Sequence, residues 1–410
     1  MKSTLYITRN GLLEPLGHSQ VFSYLKGLSQ DYQITLITFE KPEDLANKQA
    51  MAKAKQDCDT YGIEWHVKSF REQPKFLAPL WGLFEMFLAA YKITKNNNVK
   101  LIHARSYLPA AAAWAINRIT GIPFIFDMRA LWPEELIVAG RITRGSSTHK
   151  ILSYLEKVCI RDAAAVISLT DAAVGHLCSM YPSETQKQQI SVIPTCADLQ
   201  RFKPLSKQTD DHVYGCVGTV LSGWFLKDWL GTFFNIIANQ DPEAKFEIVT
   251  RDDASKIQAA LNVKANLANR LKIFSSQPEN VHKILQKHSI SVMFFTPGIS
   301  KLGSAPTRLA EALGCSLPVI ANEGVGDVAD IIRRNKVGVI IKNNSEAEMK
   351  IALTELEILQ TDPELPLRCR EVAEKIFSLH VGTQAYRKVY SEVLVFLDRP
   401  EITLQNDWSE

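Results

Sequence analysis

The chain has 410 residues, 46% of them hydrophobic and 22% charged, with a formal net charge of +3. That length suits two globular domains, since single cores rarely grow past roughly 250 residues, and the composition excludes a disordered or collagen-like chain. So small a charge excludes a bulk field for nucleic acid, and no basic patch with interleaved aromatics stands in for one.

The first strand is expected at TLYITR (4–9), which the chain enters without the apolar stretch and cleavage site of a signal peptide, so a cytoplasmic location is expected. GLLEPLGHSQVFSYLKGLS (11–29) follows as a loop and helix. In it Gly17 permits close backbone approach, and His18, Ser19 and Gln20 stand at the helix start. QITLITF (33–39) is the second strand. Asp57-Cys58-Asp59 is a D-x-D string, but it follows a Lys-rich helical stretch rather than a strand, which argues against metal binding. From Phe76 to Tyr91 the chain reads FLAPLWGLFEMFLAAY, about 16 residues and short for a bilayer span. It is either a buried helix or an amphipathic surface over 76–92, flanked by Lys75 and Lys92, that leans on the inner face of a membrane.

VKLIHA (99–104), FIFDM (124–128), AAVISL (164–169) and QISVIP (189–194) continue the short apolar runs between helical patterns, the βαβ rhythm of a mostly parallel sheet. Arg105 and Ser106 stand beyond one strand end, and Asp127, Arg129, Glu134 and Glu135 beyond the next, where open parallel sheets bind ligands. They read as hydrogen-bond partners for a ligand or as a loop-bracing ion-pair network. The polar stretch from Thr195 to Asp211 breaks the rhythm. A linker over 196–211 is therefore expected between a domain at 1–195 and another at 212–379.

The second series runs VYGCVG (213–218), FEIVT (246–250), LKIFSS (271–276), ISVMFF (290–295), LPVIAN (317–322) and VGVIIK (337–342). After ISVMFF, the segment Gly303-Ser304-Ala305-Pro306-Thr307-Arg308-Leu309-Ala310-Glu311 opens a helix, with Ser304 expected as N-cap and Pro306 in the first turn. Its unpaired N–H groups and dipole would bind a diphosphate, Arg308 would add a permanent charge, and Glu311, one turn on, could accept ribose hydroxyls. The pattern equally fits an ordinary capped helix with a surface Arg308–Glu311 pair. From about residue 344 only helical patterns remain. The last, over 380–410 with its tail, is long enough to pack back on the first domain. The cysteines show no C-x-x-C pair and the histidines no H-x-x-x-H, so neither a disulfide framework nor a metal site is expected. G-x-S-x-G and G-x-x-x-x-G-K are missing too, which removes the usual support for a hydrolase or an ATPase.

SAPTRLAEALGCSLPVIAN resembles the donor-binding helix of retaining GT-B glycosyltransferases of family 4, in the subgroup reading S-x-P-T-[KR]-x-x-E, and ANEGVGD agrees with it. The stretch at 11–29, IHARSYLPA (102–110), FIFDMRALWPEE (124–135), VIPTCADLQRF (192–202) and CVGTVLSGWFLKDWL (216–230) resemble the same subgroup, so the resemblance covers nearly the whole chain. It implies an α/β protein of two Rossmann-like domains whose parallel sheets face an interdomain cleft. It further implies retaining transfer from a nucleotide diphosphate sugar to a saccharide or lipid-linked acceptor in surface-polysaccharide assembly, with no metal or other cofactor. The donor residues it implies are Gly218, Arg251, Gly303, Ser304, Ala305, Pro306, Thr307, Arg308 and Glu311, with the base near Ser275, Ser276 and Gln277. On the acceptor side it places Gly17, His18, Ser19, Gln20, Arg105, Ser106, Glu134 and Glu135, and at the reacting centre Asp127, Arg129 and Arg308.

Three positions depart from the family. Gly303 stands where a Glu commonly precedes Glu311 by eight positions, GTVLSGWFLKDW holds Lys227 alone where an Arg and a Lys are common, and Arg129 replaces a frequent His. These leave a catalytically silent GT-B subunit that binds nucleotide or glycan as the alternative, with a sugar-nucleotide 2-epimerase third.

Overall fold

The computed structural model describes residues 1–71, 78–205 and 212–397; Lys75, the linker's second part and the tail lie outside these. Strands β1 (Lys2–Thr8), β2 (Tyr32–Glu40), β3 (Glu64–Ser69), β4 (Leu101–Arg105), β5 (Phe124–Asp127), β6 (Ala165–Ser168) and β7 (Ile190–Val192) form one sheet. Its order is β3-β2-β1-β4-β5-β6-β7, parallel throughout. β8 (Val213–Val217), β9 (Lys245–Val249), β10 (Leu271–Phe274), β11 (Ile290–Val292), β12 (Val319–Asn322) and β13 (Gly338–Ile341) form the other, ordered β10-β9-β8-β11-β12-β13 and also parallel. Every residue of β4, β5, β6 and β12 is buried, which is why these runs are apolar without alternation: helices cover both sheet faces.

Strand order reverses between β1 and β4 and between β8 and β11, and ligands enter such sheets beyond the strand ends at that switch. Register brings Thr8 beside Arg105, and Arg105 beside Asp127, so the ends of β1, β4 and β5 are level. On one face of the first sheet pack helices Ala78–Asn96, Tyr107–Thr120 and Ser147–Asp162. The other face is completed by the last helix, Leu379–Leu397, whose Tyr386, Val389 and Tyr390 meet Tyr24 and Leu25.

The expected linker is partly built into the second domain. Leu199 and Phe202 are buried with Leu309 and Leu313, and Arg370 donates to the carbonyls of Leu199, Phe202 and Gly314 at 3.1, 2.8 and 2.8 Å. The chain crosses between domains twice, and the crossings hydrogen-bond each other: Ala197 N–H to Phe377 O at 2.8 Å and Leu379 N–H to Ala197 O at 3.2 Å. Helix Ala78–Asn96 is not wholly buried. Met86, Ala90 and Ile93 face the core while Leu80, Trp81, Phe84 and Leu88 face outward. Among the described residues no helix is long and apolar enough to cross a membrane.

Candidate functional site

Between the domains lies a cavity of about 690 Å³. Its second-domain wall is the end of β8 with Gly218, the turn at Pro278 and Glu279, and helix Thr307–Gly314 through Thr307, Arg308 and Glu311. That helix starts later than expected. Pro306 holds the N-cap position and no side chain caps the turn; Ser304 lies too far upstream to do so. Ring closure fixes the proline φ and leaves the first-turn N–H groups open.

Arg308 lies flat against Gly218, where a Cβ would come 2.0 Å from Nη2. Gly218 also has φ +102, so glycine is required on both counts. The guanidinium carbon sits 5.5 Å from the Phe295 ring centroid, and the buried Nη1 has no hydrogen-bond partner. Burial pulls the Arg308 pKa below the usual value. Glu311, on the next turn, is pushed up to about 7 by burial, against the pull of Arg308 and Arg201. No ion pair joins Arg308 to Glu311 among the described residues, so the surface-pair reading of this helix does not hold. The arrangement leaves a cation and an easily protonated carboxyl side by side on the wall of an open cavity.

The other expected donor residues divide. Ser304, Ala305 and Pro306 line a separate cavity of about 470 Å³ with Thr170 and Asp327. Gly303 faces the first domain, where a Cβ would stand 3.0 Å from Leu131 N. Arg251 is exposed and outside both cavities. Its neighbour Asp252 has the structural part, accepting from Val220 N–H at 2.6 Å and Leu221 N–H at 2.9 Å to shape the loop after β8. Pro278, Glu279 and Val281 line the cavity, whereas Ser275, Ser276 and Gln277, expected near the base, do not.

On the first domain, His18, Ser19 and Gln20 line the 690 Å³ cavity across from Arg308. Gln20 is tied down, its Nε2 donating to Cys196 O at 2.8 Å. Burial holds the His18 imidazole below its usual pKa. Gly17 serves the chain itself: a Cβ there would lie 1.7 Å from Gly11 O. The loop between them is braced from beneath by the buried carboxylate of Glu40, which accepts from Leu12 N–H at 2.7 Å and Leu13 N–H at 3.3 Å. Asp57 reaches the cavity, while Cys58 is core and Asp59 is exposed against Lys55, so the D-x-D string is not one chelating unit.

Asp127 and Arg129, expected to face the cleft, are instead buried under the last helix. Asp127 accepts from Tyr386 OH at 3.0 Å, pairs with His103 at 3.3 Å, and has Arg105 and Arg129 each 3.6 Å away. Burial would raise its pKa, yet Arg129, His103 and Arg105 together hold the carboxyl far below the usual range. Arg129 Nη1 donates to Tyr386 OH at 3.1 Å. This network fixes the strand ends, where Ser106 and Arg129 both hold positive φ, +78 and +56, a strained backbone for non-glycine residues. Glu134 is likewise engaged, taking both guanidinium N–H groups of Arg144 at 2.9 and 2.5 Å. Glu135 alone of this group looks across the cleft. It lies 4.0 Å from Lys301, whose ammonium sits 3.6 Å from the Trp224 ring centroid. Near that pair the domains touch: Thr170 Oγ1 donates to Leu302 O, and Asp327 accepts from Asp171 N–H at 2.8 Å and Ala172 N–H at 2.9 Å.

Arg201 was missed by sequence reasoning. It lines the cavity from the crossing segment, with Nε 3.3 Å from His282 Nδ1 and Nη2 donating to Pro278 O. Its only sequence signal lay inside VIPTCADLQRF, in a stretch read as linker.

The chain matches the profile of Glycosyltransferase Family 4 over residues 19–201 and that of Glycosyl transferases group 1 over 203–376. No curated protein matches it. Among solved structures, sucrose-phosphate synthase from Thermosynechococcus elongatus aligns with TM-score 0.69 at 14% identity, covering 97% of this chain and 100% of its own. A glycosyltransferase from Rickettsia africae gives 0.68 at 15%, covering 96% and 98%. HepE from Anabaena, in complex with UDP and glucose, gives 0.64 at 15%, covering 95% and 100%.

Proposed function

Because the chain belongs to the GT-B glycosyltransferases, we propose that it moves a sugar from a nucleoside diphosphate to a saccharide or lipid-linked acceptor with retention at the anomeric carbon. The observation that carries this is Arg308: a buried guanidinium with an unpartnered Nη1, beside the uncapped first turn of helix Thr307–Gly314. A group so placed is stabilised by a bound anion, and the diphosphate of a nucleotide sugar suits both it and the helix dipole. HepE, which binds UDP and UDP-glucose in the same fold, supports a nucleotide sugar as donor.

In this reading Glu311 accepts ribose hydroxyls one turn beyond the diphosphate, and Arg201 stands at the same end of the cavity. The bond from the anomeric carbon to the diphosphate oxygen breaks, and a bond to the acceptor oxygen forms on the same face. The hydroxyl proton passes to the departing diphosphate, whose growing charge Arg308 and the helix N–H groups stabilise without a metal ion. A protein nucleophile is not required. Surface-polysaccharide assembly is the context proposed for the product.

The test is turnover of a panel of labelled nucleotide sugars by the full chain, with the product anomer read by NMR. Transfer with an inverted anomer would overturn the mechanism. A second reading, a nucleotide-binding GT-B protein without turnover, draws on Gly303, which lacks the common acid and where a Cβ would stand 3.0 Å from Leu131 N. Binding without hydrolysis or transfer for every donor would favour it, and donor isomerisation would point to an epimerase.

A further inference from the structure

Helix Ala78–Asn96 is apolar on two sides. Met86, Ala90 and Ile93 close the first domain's core, whereas Leu80, Trp81, Phe84 and Leu88 remain 65%, 53%, 55% and 47% exposed. A surface helix ordinarily turns polar residues to water, so folding gives no reason for this second apolar side. Positions 81, 84, 88, 92 and 95 lie on one face and trace a stripe of about 21 Å at roughly 1.5 Å per residue. The stripe ends in the exposed Lys92 and Lys95. At its apolar end the Arg71 guanidinium lies 5.7 Å from the Trp81 ring centroid. Trp81 and Arg71 share a shallow recess with Arg9, Glu85 and Leu108. Arg9 follows β1 directly and Leu108 follows β4, which places the recess at the cleft edge of the first sheet.

We propose that this stripe docks the first domain on an anionic phospholipid bilayer, Trp81 and Phe84 entering the boundary between headgroups and acyl chains and Arg71, Lys92 and Lys95 meeting lipid phosphates. Charge complementarity selects that occupant, since cations stand at both ends of the apolar segment and aromatics mark its middle. A second copy of the chain fits less well. The four apolar side chains expose roughly 400–500 Å² together, judged from about 150–250 Å² for a whole aromatic side chain, against about 800 Å² per partner in a stable interface. A bilayer needs only a few anchors about 5–10 Å deep, together with cations. The consequence for substrate rests on the transfer reading above: an acceptor held in the same membrane would meet the cleft at the Arg9–Arg71 recess. Docking itself does not require that reading.

The test uses the purified full chain without donor, floated with vesicles of phosphatidylglycerol and phosphatidylcholine or of phosphatidylcholine alone. The chain should float with the anionic vesicles and about tenfold less with the neutral ones. A Trp81→Ser/Phe84→Ser variant should lose flotation by about tenfold or more, while its UDP and GDP affinities, measured by calorimetry, match wild type and show that it is folded. A wild-type chain that does not float, or a variant that floats equally well, overturns docking. Light scattering that shows a dimer dissolved by the same variant also overturns it, in favour of a second copy. Loss of nucleotide binding in the wild type would instead count against the donor reading and leave docking standing.

Discussion

On the first-domain side of the cleft Arg105 and Arg129 share the buried carboxylate of Asp127; on the second-domain side the Nη1 of Arg308 is also buried, yet among the described residues no carboxylate lies within ion-pair distance. All three are arginines at strand or helix ends beside the switch point, and the resemblance set Arg129 and Arg308 together at the reacting centre and Arg105 on the acceptor side. The difference lies in what covers them. Tyr386 and Tyr390, brought over by the last helix, close the first site from behind, while nothing among the described residues closes the second. A buried charge with its partner in place serves architecture. One that lacks its partner is held ready for a ligand, because isolation of this kind costs free energy until an anion arrives.

Substituting Asp127 tests the architectural side and carries the largest expected effect. Asp127→Ala leaves two buried arginines without a carboxylate and should cost about 3–5 kcal/mol of stability. The readout is the thermal unfolding midpoint, with nucleotide affinity of the surviving folded fraction little changed. A variant as stable as wild type would dissolve the contrast.

Arg308→Ala tests the other side, where the effect should appear in binding. Loss of a charge-assisted contact to diphosphate should raise Kd for nucleoside diphosphates by about a hundredfold, near 2.7 kcal/mol. Unfolding without nucleotide should be unchanged or shifted upward. Calorimetric titration and a thermal melt on one preparation decide it; a melt lowered as far as that of Asp127→Ala would place Arg308 with the architecture.

Glu311 sharpens the comparison through pH. Its folded pKa, about 7, lies above the ordinary value of 4.5, so the native state binds the proton more tightly than the unfolded chain. Stability from this group is full below about pH 4.5 and is lost as pH rises through 7, by at most about 3 kcal/mol. Glu311→Gln should therefore flatten the stability profile between pH 5 and 8 and stabilise the nucleotide-free protein at the alkaline end. A carboxylate facing open solvent would show no such slope. Glu311→Ala should weaken nucleoside diphosphate binding about ten- to hundredfold, roughly 1.5–3 kcal/mol. Equal affinities would remove it from the ribose. The smallest effect belongs to Glu135→Gln, which breaks a long and partly solvated pair with Lys301 and should cost less than about 1 kcal/mol in the melt.

Most of the architecture was legible because parallel strands buried on both faces must be apolar throughout, as in AVIS and FIFD. The strand that escaped, β3, reads EWHVKS and lies at a sheet edge where His66 and Lys68 can stay partly in solvent. The placing of Arg308 and Glu311 on a helix that opens onto the cavity was legible because a helix start and its first turns are local in sequence. Asp127 and Arg129 were misread as cleft-facing because Tyr386 lies 259 and 257 positions away, and no local pattern announces it. Arg201 escaped for the related reason that crossing segments have no periodicity of their own.

The last helix also fixes the order in which the molecule can be completed. Tyr386, Val389, Tyr390 and Leu394 belong to the core of the first domain, beside Tyr24 and Tyr32. Domains generally fold in the order in which the ribosome releases them. Here the domain translated first waits for residues translated after its neighbour, whose six-stranded sheet ends with β13 and whose core is complete by Phe377. A premature stop just before Leu379 would therefore strike at the amino-terminal domain and spare the carboxy-terminal one.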